Sequence, residues 1–413
     1  LAVLRFSATN EAMDVKQILL QLTNTASNTP ADLQKITLWD GATKVGEITA
    51  TSSDTGLVTT VTGFVVPKNG DKLMTIKGTL APIGVDEAGR PGHLVSVDLQ
   101  TSNGGTGLGY TYAVGVGSSQ NIESTSADTA SAGVRLVRGY PTISTIAVPS
   151  NSLSDTSQKP LYRFSVASPA GTNGVSLYKF TFNVATKADD VAIAGYDFTI
   201  TNLRLYCYTS SGFSAGCYSA DGQLNNGTTL FDVDGNNPAS AFSPTAGGQV
   251  MQATTTDYHV YFNPAAPTSA DPEAIHIPAG STYYFELRGD VAGADAGDSA
   301  TVQLMGDKGW VGYGGDTINA VNNNGFLAGN AALAYPFAFP APVVVSSSTI
   351  NGAAAGATGS NIDQSSVGSD FVWSGNSTTT HSGAAGDSGP DWYNGFLVPG
   401  LPSTGAAAQT FSL

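Results

Sequence analysis

Apolar and polar residues alternate along most of the chain, in short runs punctuated by Gly, Pro and Asn. "VPKNGDKLMTIKGTL" (Val66 to Leu80) is typical: Pro and Asn-Gly set a turn, and a period-two stretch follows. That period puts successive side chains on opposite faces and predicts a half-buried strand. No stretch carries a convincing helical period. "NTPADLQK" has room for one helical turn at most. Many short strands joined by turns predict an all-β protein built from immunoglobulin-like antiparallel sandwiches.

The pattern repeats. "VPKNGDKLMTIKGTL" aligns without a gap on "IPAGSTYYFELRGDV" (Ile277 to Val291), matching Pro67 with Pro278, Ile76 with Leu287 and Gly78 with Gly289. "LRFS" (Leu4 to Ser7) pairs with "YRFS" (Tyr162 to Ser165), "KITLWD" (Lys35 to Asp40) with "NLRLYC" (Asn202 to Cys207), and "VSVDL" (Val95 to Leu99) with "ATVQL" (Ala300 to Leu304). Four blocks in one order predict two homologous domains, 1–137 and 138–332, the second enlarged by surface-loop insertions. Residues 351–413 read as a low-complexity tail, with Phe371, Trp373, Trp392, Tyr393, Phe396 and Leu397 as anchors on a neighbouring surface.

Domain 2 has an extended lead-in before its first matched strand, "RGYPTISTIAVPSNSL" (Arg138 to Leu153). Domain 1 shows none ahead of "LRFS". A similar segment follows domain 2, "LAYPFAFPAPVVVSSSTI" (333–350), where Tyr335-Pro336 matches Tyr140-Pro141. A sheet edge left without its strand is a pairing template, and a strand from a neighbour can complete it. Two readings stay open: the strand of domain 1 lies upstream of Leu1, or residues 333–350 of a neighbouring copy are the donor strand, with Tyr335, Pro336, Phe337, Phe339, Val343, Val344 and Val345 as its assembly residues. Leu4 and Phe6 are the candidates on the accepting side. A head-to-tail contact of this kind that does not close a ring gives a filament or a sheet.

Charge narrows the partners. The net charge of −15 leaves no basic footprint for nucleic acid or an anionic membrane. The longest apolar run, 331–345, is too short to span a bilayer and is broken by Pro336, Pro340 and Pro342. The alternating start, "LAVLRFSATN", carries no signal peptide, so an upstream segment is expected to have been removed. The two cysteines, Cys207 and Cys217, either close a disulfide in an oxidising compartment or remain thiols on neighbouring strands; the disulfide is the favoured reading.

Few residues suggest chemistry. "DVDGNN" offers Asp232, Asp234 and Asn236 as alternating oxygen ligands for a structural calcium, but an EF-hand needs Gly where Asn237 stands and Glu where Ser243 stands. Asp290, Asp295 and Asp298 form a second, weaker set. "GDSGP" (Gly386 to Pro390) has His381 nearby but no rigid frame for a triad. None of the four histidines has metal spacing with another His or a Cys. Asn226 and Asn376 begin glycosylation sequons. No enzyme and no cofactor are expected. Trp39, Trp310 and Tyr313 are the stacking residues of a rival reading as a glycan-binding adhesin; core packing is the commoner role for such side chains.

"LWDG", "VP…G…IKG" and the tail "DFVW…NST…DWYNGFLVPGLPSTG" resemble secreted, repeat-built surface proteins of ultra-small candidate-phylum bacteria. Strand-donating filament subunits and surface-layer proteins are similar in architecture. The resemblance implies an extracellular, cell-surface, repeat-built β-protein and no established activity; polymerisation with copies of itself is the expectation that the strand argument adds. "LPSTG" (Leu401 to Gly405) resembles a sortase signal, but no basic, hydrophobic stretch follows it, so it is read as the end of an ordered tail.

Overall fold

The computed structural model describes residues 1–22, 28–49, 56–83, 87–89, 92–100, 110–124, 131–188, 198–217, 220–224, 230–233, 255–261, 275–307, 370–376 and 392–413. It is all-β. Among the described residues the only helical element is a 3-10 turn at Pro30–Asp32, within "NTPADLQK". The chain divides into two compact units, Leu1–Val137 and Arg138–Leu413.

The first unit contains β1 (Ala2–Ala8), β2 (Met13–Leu22), β3 (Leu33–Asp40), β4 (Thr43–Thr49), β5 (Leu57–Val66), β6 (Gly70–Leu80), β7 (Leu94–Val95), β8 (Val97–Leu99), β9 (Tyr112–Gly115), β10 (Asn121–Glu123) and β11 (Val134–Arg135). One sheet runs β1-β6-β3-β4 and the other β10-β9-β2-β5, with β8 also on β2 and β11 paired to β7. The two sheets share one core, in which Ile36, Leu38, Met74 and Ile76 of the first meet Ile18, Leu20, Phe64 and Val66 of the second.

The second unit contains β12 (Thr142–Ile146), β13 (Thr156–Ala167), β14 (Val175–Lys187), β15 (Thr199–Tyr208), β16 (Leu230–Val233), β17 (Thr255–Tyr261), β18 (Ile275–Ile277), β19 (Thr282–Ala292), β20 (Ser299–Leu304), β21 (Phe371–Ser374), β22 (Trp392–Asn394) and β23 (Gln409–Ser412). Its sheets run β12-β13-β19-β15 and β16-β17-β14-β20-β23, with β18 and β21 on β14 and β22 on β21. Phe164 and Phe285 of one sheet pack on Phe180 of the other at ring separations of 5.2 and 5.1 Å.

The ladders carry the duplication further than the sequence does. β2 and β14 each slip register once, between Val15 and Gln17 and between Leu177 and Lys179. A bulge adds one residue and flips the faces beyond it. Accordingly, burial moves from Val15 to Ile18, Leu20 and Leu22, and from Val175 and Leu177 to Phe180, Phe182 and Val184. Across that bulge, β9 lies on β2 as β21 lies on β14, with Ala113 opposite Val15 and Trp373 opposite Leu177. β10 and β22 follow as their partners. β11 puts Val134 against Val95, and β23 puts Phe411 against Ala300, which are matched positions.

Two expectations are corrected. Residues 370–376 and 392–413 are not a tail: they form β21, β22 and β23, with Phe371, Trp373, Tyr393 and Phe411 buried in the second unit. The second domain thus does not stop at 332. The first matched block is also off by two. Leu4 pairs with Met74 and Phe164 with Phe285, and Met74 and Phe285 are equivalent, so Leu4 corresponds to Phe164 and not to Tyr162. A shift of two preserves which face each side chain takes, so the hydrophobic pattern could not expose it.

Candidate functional site

The second unit shows what belongs on the outer edge of its β13. β12 lies there antiparallel, placing Thr142 opposite Ala167, Ile143 opposite Val166, Ser144 opposite Ser165, Thr145 opposite Phe164 and Ile146 opposite Arg163. The side chain of Ile143 is driven inward and is 2% exposed. The returning C-terminal segment covers the strand from the other side. The Ile143 amide donates to the Pro399 carbonyl at 2.8 Å, and Gln409 Nε2 donates to the Ile146 carbonyl at 3.2 Å. Tyr162 donates its hydroxyl to the Ala407 carbonyl at 2.8 Å.

That returning segment is held by a buried carboxylate. Asp307, 5% exposed, accepts the amides of Asp370 at 2.8 Å, Phe371 at 3.3 Å and Gly395 at 2.6 Å. Burial, with the neighbouring Asp370 charge, raises its pKa to about 7 against those hydrogen bonds. "LPSTG" belongs to the same segment. Leu401 and Ala406 are buried, and Gln303 Nε2 donates to the carbonyls of Thr404 and Ala406. The string is a packed turn.

In the first unit, β1 takes the place of β13. By the ladder register, Val3–Ser7 correspond to Arg163–Ala167, the five residues that β12 covers. Among the described residues no strand pairs with that edge: β1 ends its sheet. A groove of about 400 Å³ runs along it instead. One wall is Val3–Ser7, the same five residues found from the register. Tyr112, Ala113, Ile122 and Glu123 line the other. Ile122 is 57% exposed, whereas its counterpart Tyr393 is 0% exposed.

Nothing in β1 blocks pairing. Natural edges are usually guarded by Pro, bulges or several charges. "AVLRFSA" has one charge, Arg5, no Pro, and an unbroken register with β6. Leu4 and Phe6 turn their side chains toward the unit's core, where Phe6 meets Phe64 edge-on at 5.6 Å.

The remaining candidates lie elsewhere. Cys207 and Cys217 are disulfide-bonded, with Cα atoms 5.5 Å apart. Asn376 is 5% exposed and its Nδ2 donates to the Asn173 carbonyl at 3.2 Å, so in the folded unit this sequon offers no room for a glycan. Asp232 lies in β16, while Asp234, Asn236, Asn226, Trp310, Tyr313 and the 333–350 segment lie outside the described residues. Asp290 accepts hydrogen bonds from Gln158, Ser157 and Asn202. Burial opposes its ionisation, but these donors outweigh it and hold the pKa below the usual value. Asp298 accepts the Asp295 amide. Among the described residues no three His, Cys, Asp or Glu side chains gather as a metal site. Lys77 Nζ sits 4.4 Å over the Trp39 ring and occupies one of its faces.

The sequence missed the wall formed by β9 and β10. "YAVG" and "NIE" resemble neither "VWSG" nor "WYN", and only the ladder register relates them.

No protein-family model matches the chain, and no curated protein matches it. Solved structures with some likeness include the C-terminal domain of the Streptococcus agalactiae AgI/II polypeptide BspA, at 8% identity over 71% of this chain and 79% of that one, TM-score 0.19. The S. aureus collagen adhesin follows at 9% identity, 74% and 85% coverage and TM-score 0.15. AvmM, which catalyzes macrocyclization in alchivemycin A biosynthesis, gives 12%, 42% and 77%, and 0.19. Likeness of this degree carries no argument about function.

Proposed function

We propose that the protein is an extracellular structural subunit that assembles with copies of itself into a cell-surface polymer, a filament or a layer. One observation carries the reading: among the described residues, the edge that β12 fills in the second unit has no strand on it at β1 of the first, and a groove lies beside it. A strand from a neighbouring copy would satisfy the backbone groups of that edge and bury apolar side chains, and repetition of the contact extends a polymer. The candidate donor is the 333–350 segment, on the strength of its Tyr335-Pro336 match to the start of the β12 lead-in. The disulfide suits an oxidising, extracellular setting.

Negative-stain imaging of the purified chain, with and without calcium, tests the reading. Regular polymers are expected, and they should be lost when 333–350 is deleted. Monodisperse single chains under every condition, or polymers that survive the deletion, would refute it.

A further inference from the structure

The outer face of the sheet β12-β13-β19-β15 carries more arginine than the fold needs. Phe285, Leu287 and Val291 of β19 face the core, so Tyr284, Glu286, Arg288 and Asp290 alternate onto the opposite face. The ladders set Arg163 of β13 and Tyr206 of β15 opposite Glu286, and Arg204 of β15 opposite Arg288. Glu286 is 0% exposed although it lies on that outer face. Arg163 Nε donates to one of its oxygens and Arg288 Nε to the other. One carboxylate thus serves two guanidinium groups. Arg204 has no share in it. Among the described residues no carboxylate pairs with Arg204, and its buried Nε has no hydrogen-bond partner. Asp290, next along the face, is filled by Ser157, Gln158 and Asn202.

Like charges directly opposite on neighbouring strands destabilise a sheet. An oxyanion set between Arg204 and Arg288 would cancel that repulsion and supply the acceptor that Arg204 lacks. The neighbouring guanidinium groups are held ready for it. Arg163 lies 4.1 Å from the centre of the Phe213 ring, Arg288 lies 4.1 Å from that of Tyr206, and Arg288 donates to the Tyr208 hydroxyl at 2.8 Å. A guanidinium stacked on a ring keeps its in-plane donors for a carboxylate or sulfate. Phe213 is itself constrained. It sits in the loop closed by Cys207 and Cys217, with a left-handed φ of +52° that is unusual for a bulky residue. Its half-buried ring packs edge-on against Tyr284, 6.0 Å away, so aromatic surface adjoins the arginines.

We infer that this face binds a carboxylate or sulfate group carried on a sugar ring, with Arg204 and Arg288 holding the oxyanion and Phe213 and Tyr284 beside the ring. The inference is independent of the assembly reading. Aromatic side chains with a few placed polar groups suit a compact organic ligand. The net charge of −15 disfavours a long polyanion such as nucleic acid. A single oxyanion at the arginines is screened from that distant field within a Debye length of about 8 Å.

Calorimetric titration of the full chain tests the site with three probes: a galacturonate trisaccharide, its methyl-esterified form and sodium sulfate. Saturable binding of the acidic sugar is expected, at least roughly tenfold weaker binding of the ester, and competition by sulfate. Arg204→Gln should weaken binding of the acidic sugar by roughly ten- to a hundredfold, the loss of a charge-assisted hydrogen bond. The same variant should keep or raise the urea midpoint of the second unit, because the side chain has no partner to lose and a repulsion is removed. An arginine with a merely structural role would lower that midpoint. Failure of both the trisaccharide and sulfate to bind, equal binding of acid and ester, or affinity unchanged by Arg204→Gln would overturn the inference. Arg204-dependent binding of sulfate without the trisaccharide would uphold the oxyanion site and reject the sugar. Imaging for polymers judges the assembly reading separately.

Discussion

Gly400 tests how β12 is locked in place. Its φ of +80° is left-handed, and a Cβ built on it would lie 1.8 Å from the carbonyl oxygen of Ile143. Replacing it with Ala therefore adds two costs. The left-handed backbone alone costs ~1–2 kcal/mol for an L-residue. The overlap cannot be relieved by rotating a side chain, because both atoms are fixed to backbone. Either β12 or the 398–402 turn must move, breaking the hydrogen bond from the Ile143 amide to Pro399 and uncovering Ile143. Overpacking and lost burial of that side chain together add roughly 2–3 kcal/mol. Gly171→Ala is the matched control: its φ is +75° in the same unit, but nothing lies within 4 Å of its Cβ. The expected losses are about 3–5 kcal/mol for Gly400→Ala and ~1–2 kcal/mol for Gly171→Ala. Urea unfolding gives the totals, and hydrogen exchange over 138–153 locates the damage. Equal midpoints for the two variants, with Ile143 still protected, would refute this account of the lock.

Other outcomes follow from the same geometry. Asp307 holds its proton more tightly when folded, its pKa being about 7 against 3.8. Its contribution to stability is thus full below about pH 4 and is lost as pH rises through about 7, by up to roughly 4 kcal/mol. Asp307→Asn should flatten that part of the second unit's pH–stability curve, at some cost in absolute stability because the amide offers a donor where a carboxyl oxygen accepted; an unchanged slope would rule the assignment out. Removing the disulfide by Cys207→Ser with Cys217→Ser opens a loop with a sequence separation of 10 and should destabilise the second unit by about 3 kcal/mol, read from its urea midpoint. Intact-peptide mass spectrometry of chain expressed in a glycosylating host should find Asn376 unmodified, since its amide is buried before a transferase can reach it in the folded unit.

The strands whose two faces meet different surroundings were legible. β6 and β19 open from the turns "PKNG" (Pro67 to Gly70) and "PAG" (Pro278 to Gly280) and alternate apolar with polar positions, and their gapless match places both in register. The flip of face within β2 and β14 is also visible in the sequence, once a bulge is allowed for. The last strands were not legible, because their order comes from remote partners. Phe371 is buried by stacking on Phe180 at 5.3 Å, and Ala406 is held by the Leu304 carbonyl, whereas the local composition around them is Gly, Ser and Ala. The kinship of β1 and β13 is visible in "LRFS" and "YRFS", but its true register needs the ladder, since a two-residue slip leaves that pattern intact.

The tie between Gln409 and Ile146 spans 263 residues of chain. Synthesis runs from the N-terminus at ~5–20 residues per second, so roughly 13–50 seconds separate the appearance of these two partners. Strands β1 to β11 need no residue beyond Val137 to complete their ladders, and the first unit can close early. The second cannot: β12 must wait for Pro399 and Gln409 before both its sides are covered. A growing chain thus carries a finished first sandwich ahead of an unfinished second one. Its last residues act as the latch that ends this interval, covering β12 and with it the outer edge of β13.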